Sequence, residues 1–195
     1  MSIELVAGNV GLDLANNRQR FQEFSPDRPY LGLLEIAIRA RTLSAEAADK
    51  LTRAARRRPA EAAAVAARAD ALAAATKRLV EATIDGRLAP SEALATINRE
   101  VAEAASRACI TSNDVGFERC WKLGRPLDLA RPLWPLARAV ADLLVGDDLK
   151  RVSTCRAADC DWLFVDASKN HSRCWCDMAT CGNRAKAQRF RERTA

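Results

Sequence analysis

The chain of 195 residues carries 31 Lys and Arg against 25 Asp and Glu, a formal charge of +6, with 49% hydrophobic and 5% aromatic residues. That apolar share excludes a disordered chain, and the length suits one domain with an appendage or two small ones. No apolar run approaches the roughly 20 residues of a membrane span, and Met1-Ser-Ile-Glu-Leu does not open like a secretory leader.

The first segment, Ile3 to Asn17, is apolar with interruptions at Gly8 and Gly11, and its period fits either a short strand or a turn and helix. Asp13 and Asn16 are candidates for a polar ligand pocket, although Asp and Asn near glycines more often build turns and caps. From Pro29 the pattern turns helical and breaks near Thr42. Ser44 begins a second helix that ends in Arg56-Arg57-Arg58, a run read as a solvated helix end complementing the macrodipole rather than a phosphate contact. Pro59 suits the first turn of an Ala-rich third helix, and Gly86 the residue just past its end.

Pro90-Ser-Glu opens a fourth helix. Asn113-Asp-Val-Gly116 then reads as the turn of a small hairpin. Cys109 and Cys120, on its arms, are expected to be small buried hydrophobes rather than a disulfide. A last helix is expected over residues 127–145, with Pro132 and Pro135 near its start. The body is thus a mainly α bundle with minor β-structure, over residues 1–149.

Residues 150–195 differ in composition. They hold 10 basic and 5 acidic side chains, a surplus of five, while the preceding residues are nearly neutral. Five of the seven Cys fall between residues 155 and 181. Two pairs share one spacing, Cys155-x4-Cys160 and Cys176-x4-Cys181, separated by 15 residues. Structural Zn²⁺ takes four tetrahedral ligands, and thiolates from two short loops supply them, so these four are the expected ligands of a closed, non-catalytic site. Metal would replace the core that so short a segment lacks. Trp162 to Val165 and Arg173 to Cys176 are expected to pair as a hairpin, with Asp177 capping a helix that carries Cys181, in a treble-clef-like or ribbon-like α+β finger. On a strand Cys174 would face the same way as Cys176, which leaves it, and more weakly His171, as alternative ligands.

These residues resemble the CGNR zinc finger, through Cys181-Gly-Asn-Arg184, Phe164-x-Asp166-x-Ser168 and Trp175-Cys-x-Met178, over roughly residues 150–192. In such proteins the finger follows an ABATE domain, a putative stress-induced transcription regulator domain, and residues 1–145 are similar to it more loosely. Gly11-Leu-Asp-Leu-Ala-Asn-Asn17 resembles its opening motif, with Leu14 in place of an aromatic residue and Asn17 in place of Thr. Cys174 stands where the family more often has a basic residue. The resemblance implies a cytoplasmic bacterial regulator that binds DNA.

The residues themselves offer a route. Setting Cys181 at zero and turning about 100° per residue puts Lys186, Arg189 and Arg193 on one stripe between about 80° and 140°. Arg184 and Arg191 form a second edge, and Cys181, Ala185, Gln188 and Glu192 face the metal side. Asn183 is placed to read a base edge, and the cations to meet phosphates. The expected function is therefore a zinc-stabilised DNA-binding transcriptional regulator whose body senses a small-molecule effector or forms a homodimer. The alternative is a zinc-dependent protein-interaction module anchored by Trp162 or Trp175. With one His and no nucleophile–base constellation, catalysis is not expected.

Overall fold

A computed structural model describes residues 3–20, 29–122, 124 and 127–194, without the side chains of residues 193 and 194. An extended segment leads to α1 (Val10–Asn16), which decides between strand and helix at the N-terminus. Asn9 caps it, its side chain accepting the Gly11 N–H at 2.8 Å. Then come α2 (Pro29–Arg39), α3 (Ala45–Arg57), α4 (Pro59–Ile84) and α5 (Ser91–Arg107). Ser44 caps α3 through the Ala47 N–H, and Pro59 opens α4, where its missing donor is harmless. Past the end of α4, Gly86 takes φ +64°, a left-handed conformation that a Cβ would oppose.

The 26 residues of α4 span about 39 Å and form the axis of the bundle. Ala69, Leu72, Ala73 and Leu79 are buried along it, and α1, α2, α3, α5 and α6 (Leu133–Val145) all touch it. Small side chains let several helices approach one axis closely, which is the structural use of the Ala-rich stretch. Leu33, Ile36, Leu51, Leu133 and Trp134 fill the space between the helices. Glu100 is 2% exposed and is held by a two-pronged bond from Arg68, the pairing a buried carboxylate requires.

Between α5 and α6 stands the expected hairpin, β1 (Ala108–Asn113) against β2 (Gly116–Trp121). Its cysteines depart from expectation. Cys109 and Cys120 are directly opposed in the register, with Cα atoms 4.9 Å apart, and form a disulfide on a ribbon exposed along most of its length. They are cross-strand partners rather than core thiols. The last body helix also starts later than expected, at Leu133. Asp128 folds an Asx turn onto the Ala130 N–H, Tyr30 donates to the Leu129 carbonyl, and Pro132 disfavours helix in the residue before it.

After a 3₁₀ turn (Asp147–Arg151), β3 (Val152–Thr154) pairs antiparallel with β4 (Leu163–Val165), Ser153 opposite Phe164. A π turn (Met178–Gly182) runs into α7 (Asn183–Thr194). The hairpin therefore differs from the expected one. Residues 173–176 form no strand, and the partner of β4 is the segment before the first cysteine pair.

Residues on both sides of position 150 share a cluster in which Ala7, Leu12, Val80 and Leu143 meet Val152, Leu163 and Val165. The polar residues of α1 hold this junction. Asn16 brackets the Leu163 backbone, donating to its carbonyl at 2.8 Å and accepting its N–H at 2.9 Å. Asn17 does the same to Glu4, and one Asp13 oxygen accepts the N–H groups of both Val6 and Ala7.

Burial pushes the Asp13 carboxyl up to about 6 against an ordinary 3.8, with the Ala7 and Val6 N–H bonds opposing the shift. Between those values the folded chain holds a proton that the unfolded chain has lost, so ionisation costs stability above pH 6 and nothing below about pH 4. Asp13→Asn keeps an acceptor that never ionises. Denaturant unfolding from pH 4 to 7 is expected to show the variant matching wild type near pH 4 and exceeding it at pH 7, by at most about 3 kcal/mol. Taking the difference between the two proteins cancels the titration of the thiols. A wild type that is the more stable of the two at pH 7 contradicts this account.

Candidate metal centre

The Sγ atoms of Cys155, Cys160, Cys176 and Cys181 all lie within 4.8 Å of one another. Two come from the β3–β4 connection and two from the approach to α7. The first loop is a knuckle, in which Cys155 N–H bonds the Trp162 carbonyl and Cys160 N–H the Ala157 carbonyl, at 2.8 and 3.0 Å. Of the second pair Cys176 precedes the π turn and Cys181 lies within it, and the N-cap Asp177 accepts the Thr180 N–H at 2.9 Å.

The donor set fits zinc. Tetrahedral bonds of about 2.3 Å imply sulfur–sulfur edges of about 3.8 Å. Cys160 and Cys176 stand 3.7 Å apart, Cys176 and Cys181 3.6 Å. Chemistry agrees with geometry. In the protein alone, burial pushes the Cys160 thiol up to about 11 and Cys176 higher still, and neighbouring sulfur charge adds to both. Burial acts most strongly on Cys155 as well, but N–H donors from Cys176 and Ala157 together with hydrogen bonds from the Cys160 and Cys176 thiols lower it on balance. A dication at the centre supplies the charge that lets all four ionise.

Each residue of the Cys181-Gly-Asn-Arg184 run has a local physical role. Cys181 is one of the four thiols. A Cβ on Gly182 would strike the Met178 thioether and come within 3.2 Å of Trp175 Cδ1, so a larger residue here displaces the Met178 side chain and crowds Trp175. Asn183 donates to the Ala179 carbonyl, across that turn. Arg184 lies 3.5 Å from Cys181 Sγ and pairs with Asp159 at 2.9 Å, tying α7 back to the knuckle. Four thiolates with Zn²⁺ leave a charge near −2, which this guanidinium partly offsets.

Cys174 is not part of the cluster. Its thiol turns to the Ser172 carbonyl, and without a strand the alternation that would align it with Cys176 is absent. His171 sits exposed in a turn at φ +48°, also outside the cluster. Backbone groups engage one oxygen of Asp13 and both ends of the Asn16 amide, and Asn16 also lines a cavity of about 510 Å³ with Arg20, Trp162, Cys160 and Arg184. Trp162 and Trp175 are half-buried against the cysteines, and the Arg20 guanidinium lies 4.5 Å from the Trp162 ring centre.

Arg173 was missed in the sequence. Its guanidinium donates to the carbonyls of Trp175, Val165, Val6 and Cys176 while lying 4.5 Å over the Phe164 ring. One side chain thus joins both halves of the finger to the N-terminal segment. Asp166 complements it, accepting the Arg173 and Ser168 N–H groups and the Ser168 hydroxyl. Only convergence in space identifies Arg173, because no spacing rule marks an arginine that gathers carbonyls.

The helical wheel needs revision. Past Arg184, among the described side chains, only Ala185 is half-buried, whereas Lys186, Gln188, Arg189, Arg191 and Glu192 are all exposed. Gln188 bonds Glu192 in solvent rather than facing the metal. A π turn delivers α7 away from the body, so no opposing surface covers its expected inner side. Arg193 lies on the helix, but its side chain falls outside the described residues.

The family model described as "Putative stress-induced transcription regulator", ABATE, matches residues 8–147, and the CGNR zinc finger model matches residues 151–194. No individual curated protein matches the chain.

Zinc analysis of the purified chain is expected to give one ion per molecule. Serine at Cys155, Cys160, Cys176 or Cys181 should lower the content severalfold, and Cys174→Ser should leave it unchanged. Loss of zinc from Cys174→Ser with retention in Cys160→Ser would reverse the ligand assignment.

Proposed function

The chain belongs to the ABATE family and ends in a CGNR zinc finger, and from that premise we propose that it is a zinc-stabilised transcription regulator whose C-terminal helix binds DNA. The observation that carries this reading is the exposure of α7. A helix polar on nearly every side gains little from its own fold and acquires a purpose when another surface meets it. Lys186, Arg189 and Arg191 are exposed there against one acidic residue, Glu192. Such cations provide salt-dependent affinity for phosphates, and a helix of this length fits a major groove.

Arg184 contributes differently, through the metal centre and Asp159, so it positions the helix and does not count among the groove-facing cations. Asn183 gives one amide N–H to the Ala179 carbonyl and keeps the other N–H and its oxygen for a base edge. The body then acts as the sensory part, supported by a cavity of about 620 Å³ lined by Pro29, Tyr30, Leu31, Ala55 and Ala62. A regulator of transcription works beside the chromosome, hence in the cytoplasm. It is a binder rather than a catalyst, in keeping with a lone histidine in an exposed turn.

A second reading has its own support. Phe190, 64% exposed on α7, and Met178, 49% exposed at its root, offer an apolar anchor for a protein partner.

Zinc-loaded protein titrated with mixed-sequence duplex DNA at 50 to 200 mM salt separates the two. Lys186→Ala with Arg189→Ala is expected to weaken association at least tenfold and reduce the salt slope by about 2, with zinc content unchanged. Absence of wild-type binding at low salt overturns the DNA reading and leaves the protein-partner reading in its place.

A further inference from the structure

A second concentration of positive charge lies on the body. Lys50, Arg53 and Arg57 follow one another along α3 at helical spacing, and Arg58 continues from its end. With Ala54 and Leu127 they line a cavity of about 470 Å³. Among the described residues no carboxylate lines it. Arg58 is fixed as one wall, donating to the Leu127 carbonyl and pairing with Glu61 at 2.9 Å. Lys50 pairs with Glu46 one turn back. Among the described residues, the side chains of Arg53 and Arg57 have no hydrogen-bond or ion-pair partner.

A solvated helix end explains only part of this. The C-terminus of a helix carries about half a negative charge and draws one or two cations to its last turn. Here four cations meet the paired Glu46 and Glu61 and, one turn before Arg53, Asp49, which leaves about one positive charge in excess beside the helix end. Arg53 and Arg57 are also like charges four residues apart, an arrangement that disfavours the helix unless an anion relieves it. A phosphoryl group carries about −1.5 to −2 and presents several acceptor oxygens. Its oxygens suit the two guanidinium groups of Arg53 and Arg57, beside which Ala54 and Leu127 add an apolar part to the lining.

We propose that this cavity is a phosphoryl-anion site, with Arg53 and Arg57 as the binding residues and Lys50 and Arg58 as its positive walls. The phosphoryl group belongs either to a free phosphorylated small molecule or to a nucleic-acid backbone. Arg56, in the same run, opens onto the other cavity beside Tyr30 and Ala62 and takes no part.

The test is calorimetric titration of the zinc-loaded full chain with inorganic phosphate and pyrophosphate at constant ionic strength, with chloride as the blank. Saturable binding is expected, tighter for pyrophosphate. Arg53→Ala and Arg57→Ala should each weaken it about tenfold, and the double variant should abolish it. Arg78→Ala removes an equal charge toward the far end of α4 and should change it less than twofold. Circular dichroism should show all variants folded, as neither arginine holds a structural contact. Pyrophosphate heats equal to the chloride blank, or a double variant that titrates like wild type, overturn the proposal. Titrating a nucleoside diphosphate and duplex DNA against the same double variant distinguishes the source. Loss of nucleotide binding with an unchanged DNA salt slope assigns a free ligand, and a slope reduced by about 2 assigns the backbone. The pyrophosphate arm uses no DNA, so its outcome is independent of the reading of α7.

Discussion

Four thiol sulfurs gathered within 4.8 Å are a constraint that the rest of the C-terminal segment must satisfy. Neutral thiols gain little from such proximity, and thiolates repel one another strongly when buried. The arrangement is stable with a dication at its centre. Around it the packing is thin. Phe164 is the one large side chain fully buried there, with Trp162 and Trp175 half-covered. Metal binding energy therefore stands in for a core, joining the knuckle, the π turn and the root of α7. Gly182 and Arg184 fit that setting, one by leaving the turn uncrowded beneath Trp175 and Met178, the other by placing a positive charge beside a ligand sulfur.

The finger is not an isolated bead on the end of a bundle. The opening motif of the body acts as a set of backbone clamps, in which Asp13 grips Val6 and Ala7, Asn17 grips Glu4, and Asn16 reaches across to Leu163. The Ala7 carbonyl then accepts the Val165 N–H, and Arg173 returns from the finger to Val6. The Asn16 and Ala7 bonds tie β4 to the N-terminal segment, the Asp13 and Asn17 bonds hold that segment against α1, and α1 rests on the long axis helix. A change in the body thus has a short mechanical route to the metal centre, and through Arg184 to the helix that carries the exposed cations.

What the sequence revealed and what it hid follow from the range of the interactions. The matched x4 spacing exposed the ligand set, because each knuckle is local. Helix limits at Ser44, Pro59 and Gly86 were equally legible, being governed by capping and by φ. The pairing of β4 was misassigned because a three-residue strand, Val152–Thr154, has too little pattern to be seen. Cys109 and Cys120 were on the page as hairpin arms, yet only the register shows them opposed. The backbone clamps made by Asp13 and Asn16 were hidden because sequence reports polarity and not what meets it, while Asn16 does line a cavity. Arg173 was invisible for the opposite reason, its partners being carbonyls, which every residue has. The wheel drawn for α7 assumed an inner face, whereas the helix departs from the surface that would have provided one.

The central claim, that a cation holds the finger while hydrophobic packing holds the body, is tested most directly by amide hydrogen exchange on the zinc-loaded and chelator-stripped full chain. The account predicts that stripping removes protection from residues 152–182 and from the start of α7, while α4, α5 and α6 exchange as before. Unchanged protection across residues 152–182 without metal would contradict it.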